Sequence, residues 1–147
     1  PIGANRWRYI YVHQSRTAGG NSATLARPHD GLADHFVIGN GDGAADGEVQ
    51  VGQRWDQQTS ADPPTPHASI APNCISICLI GNFNKTSPTP TQLRRLADLT
   101  HSLRTRLHIP LANILLATHS ASAAGIGKYF PTSDFAARIA LAPAISK

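Results

Sequence analysis

The hydrophobic and polar positions along the chain predict short strands separated by helices and long connections. Runs of apolar, β-branched and aromatic residues predict strands at 7–13, 35–38 and 75–80. The third run is almost wholly apolar, which is typical of a central strand that is covered on both faces. Polar and apolar residues alternate over 48–52, as in a half-exposed strand, and the apolar run 113–118 predicts a further strand.

A long amphipathic helix is predicted to begin after Thr89, because leucines recur there at three- and four-residue spacing. Thr89 and Gln92 form the capping box of a helix start. The helix is expected to end before Pro110, and the segment 132–142 predicts a final helix.

Glycine and proline mark the connections between these elements. Asn21 is suited to cap a helical turn over 21–27, and the glycine-rich segment 39–47 predicts a hairpin turn. Prolines interrupt 56–72 and predict an irregular loop. The order of elements indicates a mixed α/β fold with a central sheet flanked by helices, and we expect residues 1–147 to form a single domain.

Composition narrows the classes of partner. The chain carries a net charge of +4, but its basic residues form no long run and no nucleic-acid motif, so nucleic acid is not expected as a partner. No run reaches the roughly 18 apolar residues of a membrane span. Cys74 and Cys78 lie about 13 Å apart along one strand, too far for a disulfide or a shared metal, and are expected to be buried free thiols.

Two predicted strands lead to histidines, His13 and His119. If the strands are neighbours, both imidazoles open onto the same end of the sheet. Two histidines with a third ligand and a water form a catalytic zinc arrangement. From spacing alone, a hydrogen-bonded core histidine explains each of them better.

The order of segments resembles the type-2 N-acetylmuramoyl-L-alanine amidase family, whose fold is shared with peptidoglycan recognition proteins. The similarity runs from about Trp7 to Phe135. The segment 7–15 is similar to the first strand of the family, 35–41 to its next strand and hairpin, and 75–83 to its central strand. The resemblance implies an amidase-like α/β fold.

The resemblance also implies a zinc site that is incomplete in this chain. His13 and His119 match the two histidine ligands. Lys128 is retained, but the third ligand, an Asp or Cys two residues later, is replaced by Phe130. Asp34 stands where family amidases carry a tyrosine that stabilises the attacked amide. We therefore assign no catalytic residue and expect no cofactor, unless Asp34, Asp134 or His35 acts as a substitute ligand for zinc.

Three hypotheses follow from the resemblance. The first is a non-catalytic domain that binds a muropeptide in a groove. Its expected lining residues are His35, Trp55, His67, Asn73 and Lys128. The second is an active zinc amidase that cleaves the lactyl–peptide amide with a substitute ligand. The third is a scaffold or interaction module for a protein partner, with Tyr129 and Phe130 filling the groove. The resemblance implies the cell envelope or the extracellular space, and no targeting segment is visible in the chain.

Overall fold

A computed structural model describes residues 6–62, 69–118 and 125–141, which contain five strands and four α-helices. The strands are β1 (Tyr9–Gln14), β2 (Phe36–Ile38), β3 (Val49–Val51), β4 (Cys74–Leu79) and β5 (Ile114–Leu116). The helices are α1 (Ser22–Leu25), α2 (Gln53–Asp56), α3 (Pro90–Leu107) and α4 (Thr132–Ala140).

The five strands form one mixed sheet in the order β3-β2-β4-β1-β5. Strands β2, β4, β1 and β5 run parallel, and β3 pairs with β2 in the antiparallel direction. All six residues of β4 are buried, which is why a nearly continuous apolar run is needed at this central position. The predicted mixed α/β fold is confirmed.

Two crossover connections cover opposite faces of the sheet. The connection from β1 through α1 to β2 places Leu25 and Leu32 against Cys78 of β4. The connection from β4 through α3 to β5 places Leu93 and Leu96 in the larger core, with the alternate side chains of β4. Neighbouring strands β1 and β4 therefore send their connections to opposite faces, and their carboxyl ends mark a topological switch point.

Helix α3 begins where the sequence predicts. The hydroxyl of Thr89 accepts a hydrogen bond from the Gln92 backbone N–H at 2.9 Å, and the Gln92 side chain accepts one from the Thr89 N–H at 3.2 Å. The helix ends at Leu107, followed by His108 in the left-handed conformation. Among the described residues, no helix combines the length and the apolar character needed to cross a bilayer.

Other boundaries differ from the predictions. The run 113–118 forms a strand only over Ile114–Leu116, and the final helix ends at Ala140. Helix α2 follows directly after Gly52, in a segment for which no helix is predicted. One turn of helix carries too little hydrophobic periodicity to be recognised in a sequence.

Candidate functional site

The end of β1 carries His13 onto the face of the sheet that α1 covers. In the parallel pairing of β1 with β4, His13 lies opposite Cys78. Asp34 lies just before β2, and the backbone N–H of His35 donates to the Ser76 carbonyl oxygen at 3.0 Å. This bond places Asp34 beside β4. We refer to His13, Asp34, Ser76 and Cys78 as the His13 cluster.

The carboxylate of Asp34 holds the His13 cluster together. Its Oδ1 lies 2.5 Å from Nε2 of His13 and accepts a hydrogen bond of 2.5 Å from the Ser76 hydroxyl. Asp34 and His13 are only 4% and 8% exposed. A buried carboxylate requires such partners, because removing its charge from water without compensation is costly.

His13 and Asp34 shift each other's pKa. Burial lowers the pKa of His13, but the charge of Asp34 and its hydrogen bond outweigh burial and raise the pKa above the ordinary 6.5. Burial raises the pKa of Asp34, but the charge of His13 and the hydrogen bonds from His13 and Ser76 bring it below 3.8. Both shifts favour the charged forms, so the pair is an imidazolium–carboxylate ion pair between pH 3.8 and 6.5.

The order of the three hydrogen-bonding groups excludes a serine triad. A nucleophilic serine donates to the histidine, and the carboxylate orients the far side of the imidazole. Here Asp34 lies in the middle, and the Ser76 hydroxyl donates to the carboxylate. His13 therefore has no hydrogen bond with the Ser76 hydroxyl through which it could activate that group as a nucleophile.

Cys78 completes a set of nitrogen, oxygen and sulfur donors. The ligand atoms of His13, Asp34 and Cys78 all lie within 4.8 Å of one another, and these atom types are zinc ligands. Nitrogen and oxygen bound to tetrahedral zinc lie roughly 3.3 Å apart, whereas Nε2 and Oδ1 are 2.5 Å apart. Burial also raises the pKa of the Cys78 thiol well above its ordinary value. The cluster has suitable donors, but its arrangement is that of an ion pair.

Comparisons with known proteins determine the family. Residues 3–133 match the family described as N-acetylmuramoyl-L-alanine amidase. The chain belongs to this family. A comparison with curated proteins gives no match.

Solved structures show the same fold at low identity. The amidase LysC from Clostridium intestinale URNW superposes with a TM-score of 0.72 and is 18% identical, with 97% of this chain and 91% of LysC covered. Bumblebee PGRP-SA has a TM-score of 0.63 and 17% identity, with 87% and 80% covered. Human PGRP-IβC, solved in complex with glycosamyl muramyl pentapeptide, has a TM-score of 0.61 and 13% identity, with 85% of each chain covered.

The residue at the third ligand position belongs to the hydrophobic core of this amidase-family chain. Phe130 is 4% exposed. Its ring centroid lies 6.1 Å from that of Phe83 and 5.8 Å from that of Phe135 on α4. Phe130 offers no donor atom, and His119, the predicted second ligand, lies outside the described residues. The described residues therefore do not provide the ligand set that the resemblance implies.

His35 is buried between β2 and β4. It has no exposed surface. Its Nδ1 accepts a hydrogen bond of 3.0 Å from the Ser76 backbone N–H, so its Nε2 carries the proton and donates to the Thr59 carbonyl oxygen at 2.8 Å. Burial lowers the pKa of His35 and favours the neutral form. Both nitrogens are hydrogen-bonded inside the protein, so His35 ties β2 to β4, and its role in lining a ligand groove stays a prediction.

Two further predicted groove residues have structural partners. Trp55 on α2 is partly buried, and its ring packs against Trp7, His35 and Phe36. The Asn73 side chain donates to the Arg6 carbonyl oxygen at 3.2 Å. The partly exposed ring of Trp55 still allows contact with a ligand. His67 lies outside the described residues.

Lys128 is exposed, and its ammonium lies 5.3 Å from the centroid of the Tyr129 ring. Tyr129 is 46% exposed, while the neighbouring Phe130 is buried in the core. The hypothesis that the two rings fill the groove stays a prediction. Asp134, a predicted substitute ligand, forms an ion pair with Arg138 on α4 and is not part of the His13 cluster.

Sequence reasoning missed the contributions of Ser76 and Cys78. The alternation of side chains along β4 places both on one face, but the sequence does not show that this face meets His13. That contact depends on the register of two strands that are distant in the chain. The buried, free state predicted for Cys74 and Cys78 is confirmed.

Proposed function

We propose that this amidase-family domain binds a peptidoglycan fragment without hydrolysing it. The observation that supports this most strongly is the ion pair between His13 and Asp34. It occupies Nε2 of the histidine that the resemblance assigns to zinc. The replacement of the third ligand by Phe130 points the same way.

Hydrolysis of the amide requires an activated water to attack it. Zinc hydrolases use three protein ligands and leave one position for a water whose pKa falls to about 7. In the His13 cluster, the positive charge that faces Asp34 is the imidazolium of His13 and not a zinc ion. Without a metal to lower the pKa of a bound water, this ion pair does not generate the hydroxide that attacks the amide.

Ligand binding is supported by the fold and by two accessible side chains. The human relative was solved with a muramyl pentapeptide, and we propose the same class of ligand here. Lys128 is exposed and offers a positive charge to the carboxylates of a peptide stem. The partly exposed ring of Trp55 offers a stacking surface for a sugar or peptide. A cell-envelope or extracellular location is part of this proposal.

The test combines binding with product analysis. Isothermal titration of the protein with muramyl pentapeptide is expected to give saturable binding that Lys128→Met weakens about tenfold, or about 1.4 kcal/mol. Arg94→Gln, which removes an exposed charge from α3, is the matched control and should leave the affinity unchanged. Mass spectrometry of the incubated muropeptide should show no released peptide, with or without added zinc. Release of peptide would contradict the proposal that the domain does not hydrolyse its ligand. Absence of binding would contradict the proposal that the ligand is a muropeptide.

A second function, an active amidase with a rebuilt metal site, is favoured by the proximity of Cys78. His13, Asp34 and Cys78 offer three donors. This alternative predicts one zinc ion per chain, loss of that zinc in Cys78→Ala, and release of peptide that stops on chelation. Cys74→Ala, at the other buried thiol of β4, is its control. We rank it below binding because the ion pair must first be separated.

A further inference from the structure

A cleft of about 460 Å³ opens at the carboxyl ends of the parallel strands. It lies between the segment after β1, which contributes Arg16 and Ala18, and the segment 80–87 after β4. We call it the strand-end cleft. It shares no lining residue with the His13 cluster. Its position at the switch point between β1 and β4 is the place where sheets of this type bind ligands.

The lining of the strand-end cleft is positively charged. Arg16 and Lys85 both line it and are exposed. Within the described part of the chain, the cleft is lined by no carboxylate, and neither cation forms an ion pair or a side-chain hydrogen bond. The hydroxyls of Thr86 and Ser87 add polar groups on the same side. The hydroxyl of Thr89 is already used, because it donates to Asp46.

Backbone hydrogen bonds hold the walls in place. The Arg16 N–H donates to the Gly81 carbonyl oxygen at 2.8 Å, and the Gly81 N–H donates to the Ser15 hydroxyl at 3.0 Å. Arg16 has a φ of 65°, a left-handed conformation that is unusual for a residue with a side chain. The guanidinium therefore projects from a segment that is anchored to the end of β4.

We propose that the strand-end cleft binds a small molecule through a phosphate or carboxylate group. Arg16 and Lys85 pair with the anion, and the hydroxyls of Thr86 and Ser87 complete its hydrogen bonds. The volume falls in the range of about 300–1,000 Å³ that small-ligand sites occupy, so the anionic group is one end of a larger molecule. None of the described residues proposed to line the muropeptide groove lines this cleft.

The test uses inorganic phosphate and succinate as separate probes of the full chain. Titrations followed by ¹H–¹⁵N NMR should give saturable shifts confined to residues 15–20 and 80–87 for at least one anion. The anion that binds more tightly identifies the group. Arg16→Gly removes the charge and suits the left-handed backbone, and Lys85→Gln removes the second charge without altering that segment. Each variant is expected to weaken binding about tenfold, whereas Arg94→Gln should not change it.

Three results would overturn the proposal. The first is NMR shifts that do not saturate with either anion, and the second is NMR shifts spread over the basic surface. The third is an anion affinity that Arg94→Gln and Lys85→Gln weaken equally. A thermal melt of each variant separates loss of binding from loss of folding. If Arg16→Gly melts early, Lys85→Gln and its control decide the outcome.

Discussion

The state of His13 is determined by one neighbouring carboxylate. Asp34 lies 2.5 Å from Nε2 and is itself held by Ser76. Both charges are almost completely removed from water, so each depends on the other. At the scale of single residues, the site is a buried ion pair, and its stability and pH dependence are the properties to test.

Asp34→Asn should reduce the free energy of unfolding by about 3 kcal/mol, because it removes one partner of a buried pair. Urea denaturation measures the loss. Asp62→Asn is the matched control, since its ion pair with Arg27 is exposed and should contribute less than about 1 kcal/mol. Adding His13→Gln to Asp34→Asn should cost less than the sum of the single changes. Equal effects of Asp34→Asn and Asp62→Asn would argue against the pair.

The pair should also make stability depend on pH. The pKa of His13 is raised above 6.5, so its contribution is complete below pH 6.5 and is lost as the pH rises through the raised value. The pKa of Asp34 is lowered below 3.8, so its contribution is complete above pH 3.8 and is lost as the pH falls through the lowered value.

Urea denaturation at several pH values should therefore show the largest advantage of the unmodified chain over His13→Gln/Asp34→Asn between pH 3.8 and 6.5. His101→Gln, on the partly exposed side of α3, should follow the unmodified chain. A constant difference between the unmodified chain and the double variant across the whole range would show that folding shifts neither pKa, and would contradict the ion pair.

At the scale of elements, the segment before α4 packs into the core at Phe130, the position that the resemblance aligns with a metal ligand. Phe130 lies between Phe83, after β4, and Phe135 of α4. The aromatic contact attaches α4 to the end of the central strand. The side chain thus adds apolar packing at a position where the resemblance predicts a ligand.

Phe130→Ala should cost about 3–5 kcal/mol of stability, because it leaves a cavity among buried rings. Thermal or urea unfolding measures the change. Tyr129→Ala is the neighbouring control, and the 46% exposure of Tyr129 predicts a loss below about 1 kcal/mol. A Phe130→Ala protein as stable as Tyr129→Ala would mean that the ring is not part of the core.

An element can be predicted from the sequence when its signal lies within a short stretch of the chain. β4 and α3 are predicted because a continuous apolar run and a capped leucine stripe are local signals. Helix α2 has one turn and gives no such signal. The His13 cluster joins three separate parts of the chain, so its geometry depends on strand register. Asp34 is recognised as a candidate ligand by resemblance, but its bond to His13 is visible only in the folded chain.

At the scale of the whole molecule, the chain has the amidase fold, and we propose that its metal centre is altered. The LysC amidase superposes over 97% of this chain with 18% identity. We propose that the end of the sheet where the two crossovers diverge binds a ligand without requiring the metal. This separation of scaffold from chemistry is common, because function depends on the site and not on the fold.

The most direct test of the account is the zinc content of the purified full chain. The protein is equilibrated with zinc, passed through a desalting column and measured by elemental analysis. We expect fewer than about 0.1 zinc ions per chain, because Asp34 pairs with Nε2 of His13 and Phe130 supplies no ligand. One zinc ion per chain, lost in His13→Gln and retained in His101→Gln, would contradict it.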